Sequence, residues 1–263
     1  MSRDYRKKEK SLSIYDNPFY YDVAFSFRDI CKEVDFFERC FRKFSKIKVK
    51  KVLDIGCGPS PYMMELAKRG YAFTGLDLSK AMLEYSLKKA RKAGIKIKTI
   101  RADMRNFKTW EKFDFAFCML GSVEAESNKD FLSHLDSVAA CLKSGGIYLI
   151  DAAVQFDWTR AGSENWTVIK DGLMVNVSWS ATPINYVEQK EIERLTVEAI
   201  ENGKTKILRT EKTGKIIFPQ EFLELIEKNG RFEFVGWYNN FDLTQPLEKA
   251  TRFNRPMTVL RRK

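Results

Sequence analysis

The stretch Val52-Leu53-Asp54-Ile55-Gly56-Cys57-Gly58-Pro59-Ser60 constrains this chain more than any other. A short apolar run stops at two glycines, and a proline and helix-forming residues follow. This pattern marks a buried strand that turns tightly into a helix. Without a Cβ, Gly56 and Gly58 let the backbone approach a ligand where other residues would clash. Asp54, two positions before the first glycine, disfavours a pyrophosphate and suits a cationic amino group. A dinucleotide-binding turn would carry a third glycine, and Ser60 stands at that point.

The surroundings extend the same grammar. Ile30, Val34, Phe37, Phe41 and Phe44 are spaced by three and four, which predicts an amphipathic helix over 29–45. Strands are predicted at 51–55, 71–76, 95–101, 113–119 and 147–150. Helices between them are closed by Gly70, by Gly94 and at Gly145-Gly146. Strands and helices that alternate at short intervals make a doubly wound, mostly parallel sheet with right-handed connections. The pattern changes after Asp151. Period-two runs cover 166–217, and Asp171-Gly172 and Asn202-Gly203 read as hairpin turns, so about four antiparallel strands are expected. A helix at 219–229 and strands at 232–238 and 257–260 then complete a seven-stranded α/β sheet. Residues 1–151 and 216–263 make the main domain, and 152–215 make an inserted antiparallel β domain.

Composition removes several functional classes. The chain has 263 residues, 44% hydrophobic and 31% charged, with no uncharged apolar run long enough to span a bilayer. Its charged N-terminus does not read as a secretory signal. Cys31, Cys40, Cys57, Cys118 and Cys141 are odd in number and contain no C-x-x-C pair, which argues against a disulfide framework or a metal knuckle. His134 is the one histidine, which leaves little room for histidine-based metal or nucleophile chemistry, so no metal is expected. A cytoplasmic, reduced protein is the default. The formal charge of +11 is spread over scattered basic residues, which reads as a solvated surface ahead of a nucleic-acid footprint.

Two further acids fall at strand ends. Asp77 closes the second strand, where a carboxylate can accept ribose hydroxyls. Asp103-Met104 closes the third, placing a carboxylate and an apolar side chain beside a base. Together with Asp54-x-Gly56-x-Gly58, these positions resemble the class I S-adenosylmethionine-dependent methyltransferases. The resemblance implies a Rossmann-like fold, S-adenosylmethionine as cofactor and S-adenosylhomocysteine as product. It also implies a cofactor site from Asp54, Gly56, Cys57, Gly58, Asp77, Leu78, Met82, Asp103, Met104 and Met119. Ligands in such sheets bind at strand carboxyl ends. Cys57 itself reads as a small packing residue within the turn.

The segment from Tyr20 to Asp29 is similar to the N-terminal lid of small-molecule members, more loosely to N,N-dimethyltransferases of amino sugars. That resemblance places Tyr21 and Arg28 over the methionine end of the cofactor, with Arg28 on its carboxylate. The bland alternative for both is a surface position. Asp16-Asn17-Pro18-Phe19-Tyr20 reads as a turn before the first helix. His134 reads as a helix-surface or boundary residue. Trp158, Trp166 and Trp179 read as the core of the β insert, with an aromatic roof over the site as the alternative. No catalytic residue is assigned, and Glu124, Glu126 and Asp151 are candidates only. The expected partner is a small-molecule methyl acceptor, with the insert as its lid and a homodimer through the insert as a further option. RNA or protein methylation by the basic surface, or nucleotide binding without transfer, are the competing functions.

Overall fold

The structure is a computed structural model and describes residues 13–157 and 162–263. Trp158 and the charged N-terminus lie outside the described residues. A short 3-10 turn, Ile14–Asp16, leads into α1 (Pro18–Ala24). The fixed φ of Pro18 suits the first helical position, so the expected turn at 16–20 is the entry to a helix instead. Then follow α2 (Ile30–Phe44), β1 (Lys51–Ile55), α3 (Met63–Lys68), β2 (Ala72–Asp77), α4 (Lys80–Lys92), β3 (Lys98–Arg101), β4 (Phe113–Cys118), α5 (Asn128–Cys141) and β5 (Leu142–Asp151). Four long strands come next: β6 (Gly162–Lys170), β7 (Leu173–Asn185), β8 (Lys190–Glu201) and β9 (Lys204–Lys215). The chain closes with α6 (Pro219–Asn229), β10 (Phe232–Asn239), β11 (Asp242–Pro246) and β12 (Pro256–Arg262).

The main sheet runs β11-β10-β12-β5-β4-β1-β2-β3, with parallel pairing from β5 to β3 and antiparallel pairing from β12 to β11. The seven expected strands form, and β11 adds an eighth at the edge, reached through a turn at Asn240-Phe241 with positive φ at both residues. The central strands are apolar on both faces because helices cover both. On one side α2 brings Phe37 and Phe41 against Phe115 and Phe117, with ring centroids 4.5 to 5.4 Å apart. On the other, Phe131, Leu135 and Val138 of α5 join Phe222 of α6 and Tyr148.

The second sheet, β6-β7-β8-β9, is wholly antiparallel. Asp171-Gly172 and Asn202-Gly203 all have positive φ, as two-residue hairpin turns require. Its inner face has two halves. Leu173, Val175, Val177, Val197, Ala199 and Leu208 form an apolar half that packs on Ile14, Val23, Ala24 and Phe25. Trp166 joins it, donating from Nε1 to Ala24 O at 2.7 Å and stacking edge-on against Phe25 and Phe27. The other half, reached by continuing the same alternation along β8 and β9, carries Glu193 opposite Lys212.

Phe37 is fully buried between Tyr62, Phe115 and Phe117. Phe37→Ala is expected to destabilise the fold by about 3–5 kcal/mol, read by urea unfolding.

Candidate functional site

The turn after β1 is built around positive φ at Gly56 (68°) and Gly58 (51°). A Cβ on Gly56 would lie 2.9 Å from Met104 Cε and 3.4 Å from Ser122 Cβ. A Cβ on Gly58 would meet the Tyr21 ring at 3.9 Å. The turn is therefore a narrow slot between the N-terminal segment and the loops after β3 and β4. It is stapled to β2: Cys57 N–H donates to Leu76 O at 2.9 Å, and Gly58 N–H donates to Asp77 Oδ2 at 2.8 Å. Cys57 is buried, and its Sγ fills the space above Gly75, where a Cβ would lie only 2.7 Å away.

Asp54 lies at the base of this slot and is 2% exposed. Its Oδ2 is buried without a hydrogen-bond partner. Burial pushes its carboxyl well above the usual carboxylate range, the Arg28 guanidinium opposes that rise, and Asp77 adds to it. A buried acceptor left unsatisfied costs about 1–3 kcal/mol, and a ligand cation would relieve that cost.

Asp77 also accepts from Ser79 N–H through Oδ1 at 2.8 Å. One carboxylate thus holds both neighbouring strand-to-helix turns. Burial raises its pKa, and the N–H donors partly offset this. Ser79 caps α4 through its Oγ, which also donates to Tyr15 O. The Asp77 carboxylate is therefore structural: it braces the turns after β1 and β2.

The other expected positions divide. Leu78 projects its apolar side chain beside Asp77 and is 58% exposed. Met104 lies against the glycine turn. Met82 and Met119 are buried, Met119 within the aromatic core under α2. Asp103 binds Arg105 through both carboxylate oxygens, at 2.6 to 3.0 Å, and this pairing holds its pKa down. Tyr21 is half-buried over Gly58 and stacks on Phe25 at 4.6 Å.

Arg28 is buried and bound to Glu33 of α2 through Nε and Nη2, with its Nη2 also on the Tyr62 hydroxyl. Its guanidinium lies 5.0 Å from the Tyr62 ring centre. Glu33 reaches Arg255 as well, at 3.5 Å. Arg255 binds Asp151, whose same Oδ2 accepts from Leu120 N–H at 2.8 Å, and Asp151 Oδ1 is buried without a partner. Sequence reading missed Glu33, Tyr62 and Arg255. Glu33 gave one usable signal, a charge near the start of an amphipathic helix whose burial needed a partner. Arg255 gave none, because only the closing β12 brings it to this end of the sheet. Of the base candidates, Asp151 is committed to this network. Glu124 and Glu126 are exposed, and Glu126 lies 3.8 Å from Arg105.

His134 is fully buried, not a surface or boundary residue. Its ring bonds Met104 O at 2.9 Å and the Tyr148 hydroxyl at 2.6 Å. Burial lowers its pKa from 6.5 to about 4. The unfolded chain therefore takes up this proton first, and folding stability falls as pH drops from 6.5 towards 4. The expected loss is about 3 kcal/mol at 1.36 kcal/mol per pH unit, and the slope should be shallower in His134→Gln, measured by urea unfolding across that range. Asp77→Asn is expected to lower stability by about 1–2 kcal/mol, because Gly58 and Ser79 compete for one remaining acceptor; thermal unfolding reads it.

The family described as "Methyltransferase domain" matches residues 52–146, from β1 to the start of the buried part of β5. A putative methyltransferase of Geobacillus sp. (strain WCH70) is 24% identical over 163 residues, 60% of this chain and 64% of that protein. Other curated relatives, among them ubiquinone biosynthesis O-methyltransferases of Vibrio vulnificus, are matched over about two-fifths of their length. An S-adenosylmethionine-dependent methyltransferase from Clostridium acetobutylicum ATCC 824 superposes with a TM-score of 0.75 at 18% identity, covering 92% of this chain and 96% of that one. The sugar N-methyltransferase KedS8 from Streptoalloteichus sp ATCC 53650 does so with a TM-score of 0.72 at 18% identity, covering 94% and 92%. The glycine slot, the orphaned Asp54 oxygen and the Asp77 carboxylate leave room for a ligand with a cationic group at the strand ends, and residues 52–146 match a methyltransferase domain within a fold shared with S-adenosylmethionine-dependent methyltransferases.

Proposed function

We propose that this chain is an S-adenosylmethionine-dependent methyltransferase acting on a small-molecule amine held between the strand ends and the β insert. The observation that carries the cofactor half is the buried, unpartnered Asp54 oxygen at the base of the glycine slot. It is a ready acceptor for the amino group of a methionine moiety. Asp77 stands one strand over for the ribose hydroxyls, with Leu78 and Met104 as apolar neighbours for the base. Tyr21, next to Gly58, and Arg28, whose charge acts on Asp54, support a role for both at the methionine end.

Bound S-adenosylmethionine supplies a methyl group already activated on sulfonium. The chain's own task is then to orient the acceptor and exclude water, which explains why no nucleophile-base pair is present in the described site. An amine acceptor is supported by the carboxylates at the cleft mouth. It is also supported by likeness along nearly the whole chain to KedS8, described as a sugar N-methyltransferase, and to CalS10, described as an amino pentose methyltransferase. The basic surface speaks less for RNA. Several of its lysines and arginines are spent on acids, as in Lys51 and Lys98 with Glu111, Arg69 with Asp35, Glu38 and Glu65, and Arg261 with Glu233.

Calorimetry with S-adenosylhomocysteine and with 5′-methylthioadenosine, which lacks the amino-acid end, tests the assignment. Asp54→Asn should weaken the first ligand by about tenfold or more, as loss of a charged hydrogen bond worth about 1.5–3 kcal/mol implies, and leave the second within about twofold. Absence of S-adenosylhomocysteine binding at millimolar concentration would sink the cofactor assignment, and salt-sensitive RNA binding would favour the RNA reading.

A further inference from the structure

The chain carries a formal charge of +11, yet one of its lysines is held by acids where the insert meets the main sheet's loops. Glu193 of β8 and Lys212 of β9 face each other in register on the inner face of the insert, with Lys212 Nζ 3.1 Å from Glu193 Oε2. Both side chains are about three-quarters covered. The end of β9 is bonded to the loop after β4, through Lys215 N–H to Ala125 O at 2.8 Å, and Glu124 is the residue before that anchor. Tyr15 ties this corner to the cofactor side. Its carbonyl accepts from Ser79 Oγ, two residues beyond Asp77, and its ring lies 6.1 Å from that of Tyr21.

The electrostatics agree with this placement. Burial lifts the Tyr15 phenol pKa, and Glu124, Glu193 and Asp77 all lift it further. For Lys212, burial pulls the pKa down, but Glu193, Glu124 and the Tyr21 hydroxyl outweigh it, so the ammonium is held above its usual value. Two carboxylates, Glu193 by direct contact and Glu124 through its field, thus act on one lysine at the junction of insert and cleft.

We infer that Lys212 is a resident stand-in for the acceptor's ammonium: it neutralises Glu193 and Glu124 in the empty cleft and is displaced when a cationic acceptor enters, so that these two carboxylates select an amine over the matching alcohol. The inference rests on the methyltransferase reading above and adds to it the residues that choose the acceptor. An ammonium on a four-carbon stem suits such a role, since it can swing to solvent while its charge stays hydrated. An acid pair left uncompensated would repel itself and lose stability. An arginine in the same place would hold both acids by a planar fork and yield to a ligand less readily.

The test uses the full chain saturated with S-adenosylhomocysteine. The probes are trans-2-aminocyclohexanol and its neutral counterpart trans-cyclohexane-1,2-diol, followed by ligand-detected NMR titration. The unmodified chain should bind the amine at least about tenfold more tightly than the diol, a margin of about 1.4 kcal/mol. Glu193→Gln and Glu124→Gln should each weaken the amine several-fold, whereas Lys212→Met should tighten it several-fold. S-adenosylhomocysteine affinity should stay within about twofold in all three, which also reports that each variant is folded. A merely structural ion pair would not give opposite signs for its two halves. Weaker amine binding in Lys212→Met, unchanged binding in both glutamine variants, or no preference for the amine would each overturn the inference and leave the cofactor assignment standing. Failure of the unmodified chain to bind S-adenosylhomocysteine would instead remove both.

Discussion

A buried carboxyl oxygen without a partner is a standing cost, and Asp54 Oδ2 bears it within β1. The structure keeps that group unsatisfied by building stiff walls around it. Backbone bonds from Cys57 and Gly58 fix the turn above it, Asp77 fixes the next turn, and Met104 closes the side. If the walls could relax, Asp54 would find a backbone donor and the slot would shut. Rigidity here preserves a slot whose base is short of a donor, which would spare a cationic ligand the cost of shaping it.

The buried chain of charges beside it works differently. Arg28, Glu33, Arg255 and Asp151 come from the α1–α2 loop, from α2, from the entry to β12 and from the end of β5. Such a network adds little net stability over an apolar cluster, but it penalises every arrangement in which one member is missing. It acts as a check that the N-terminal and C-terminal parts of the chain have reached the same strand ends. The Tyr62 hydroxyl, on Glu33 and Arg28, ties that check to the aromatic core through Phe37.

Local chemistry was readable from the sequence wherever one residue type has one physical use. The two positive-φ hairpin pairs, Asp171-Gly172 and Asn202-Gly203, declared the insert's strands. The glycine pair declared the tight turn after β1, where both glycines have positive φ. What escaped reading depended on partners far away in sequence. Pro18 could begin a helix or a turn, and only the apolar half of the insert, by giving Val23 and Ala24 a place to bury, makes it a helix. His134 looked peripheral because its stripe neighbours are apolar; the Tyr148 hydroxyl and the Met104 carbonyl, which allow it to be buried, sit on other elements. Asp103 was legible as a strand-end acid, but its pairing with Arg105 is a matter of side-chain direction, which spacing does not encode.

The packing of the insert on the first residues of the chain has a consequence in time. Ser13 Oγ lies 3.5 Å from Thr210 Oγ1, and Ile14 and α1 share a core with β7, β8 and β9. The segment that carries Tyr15 and Tyr21 over the cleft therefore has nothing to rest on until those strands exist. On a ribosome the central strands can pair as they emerge, whereas α1, made before β1, must wait for β7, β8 and β9 before it settles. The cleft is roofed late by that segment, and Arg255, which follows the insert, locks the adjoining charges later still.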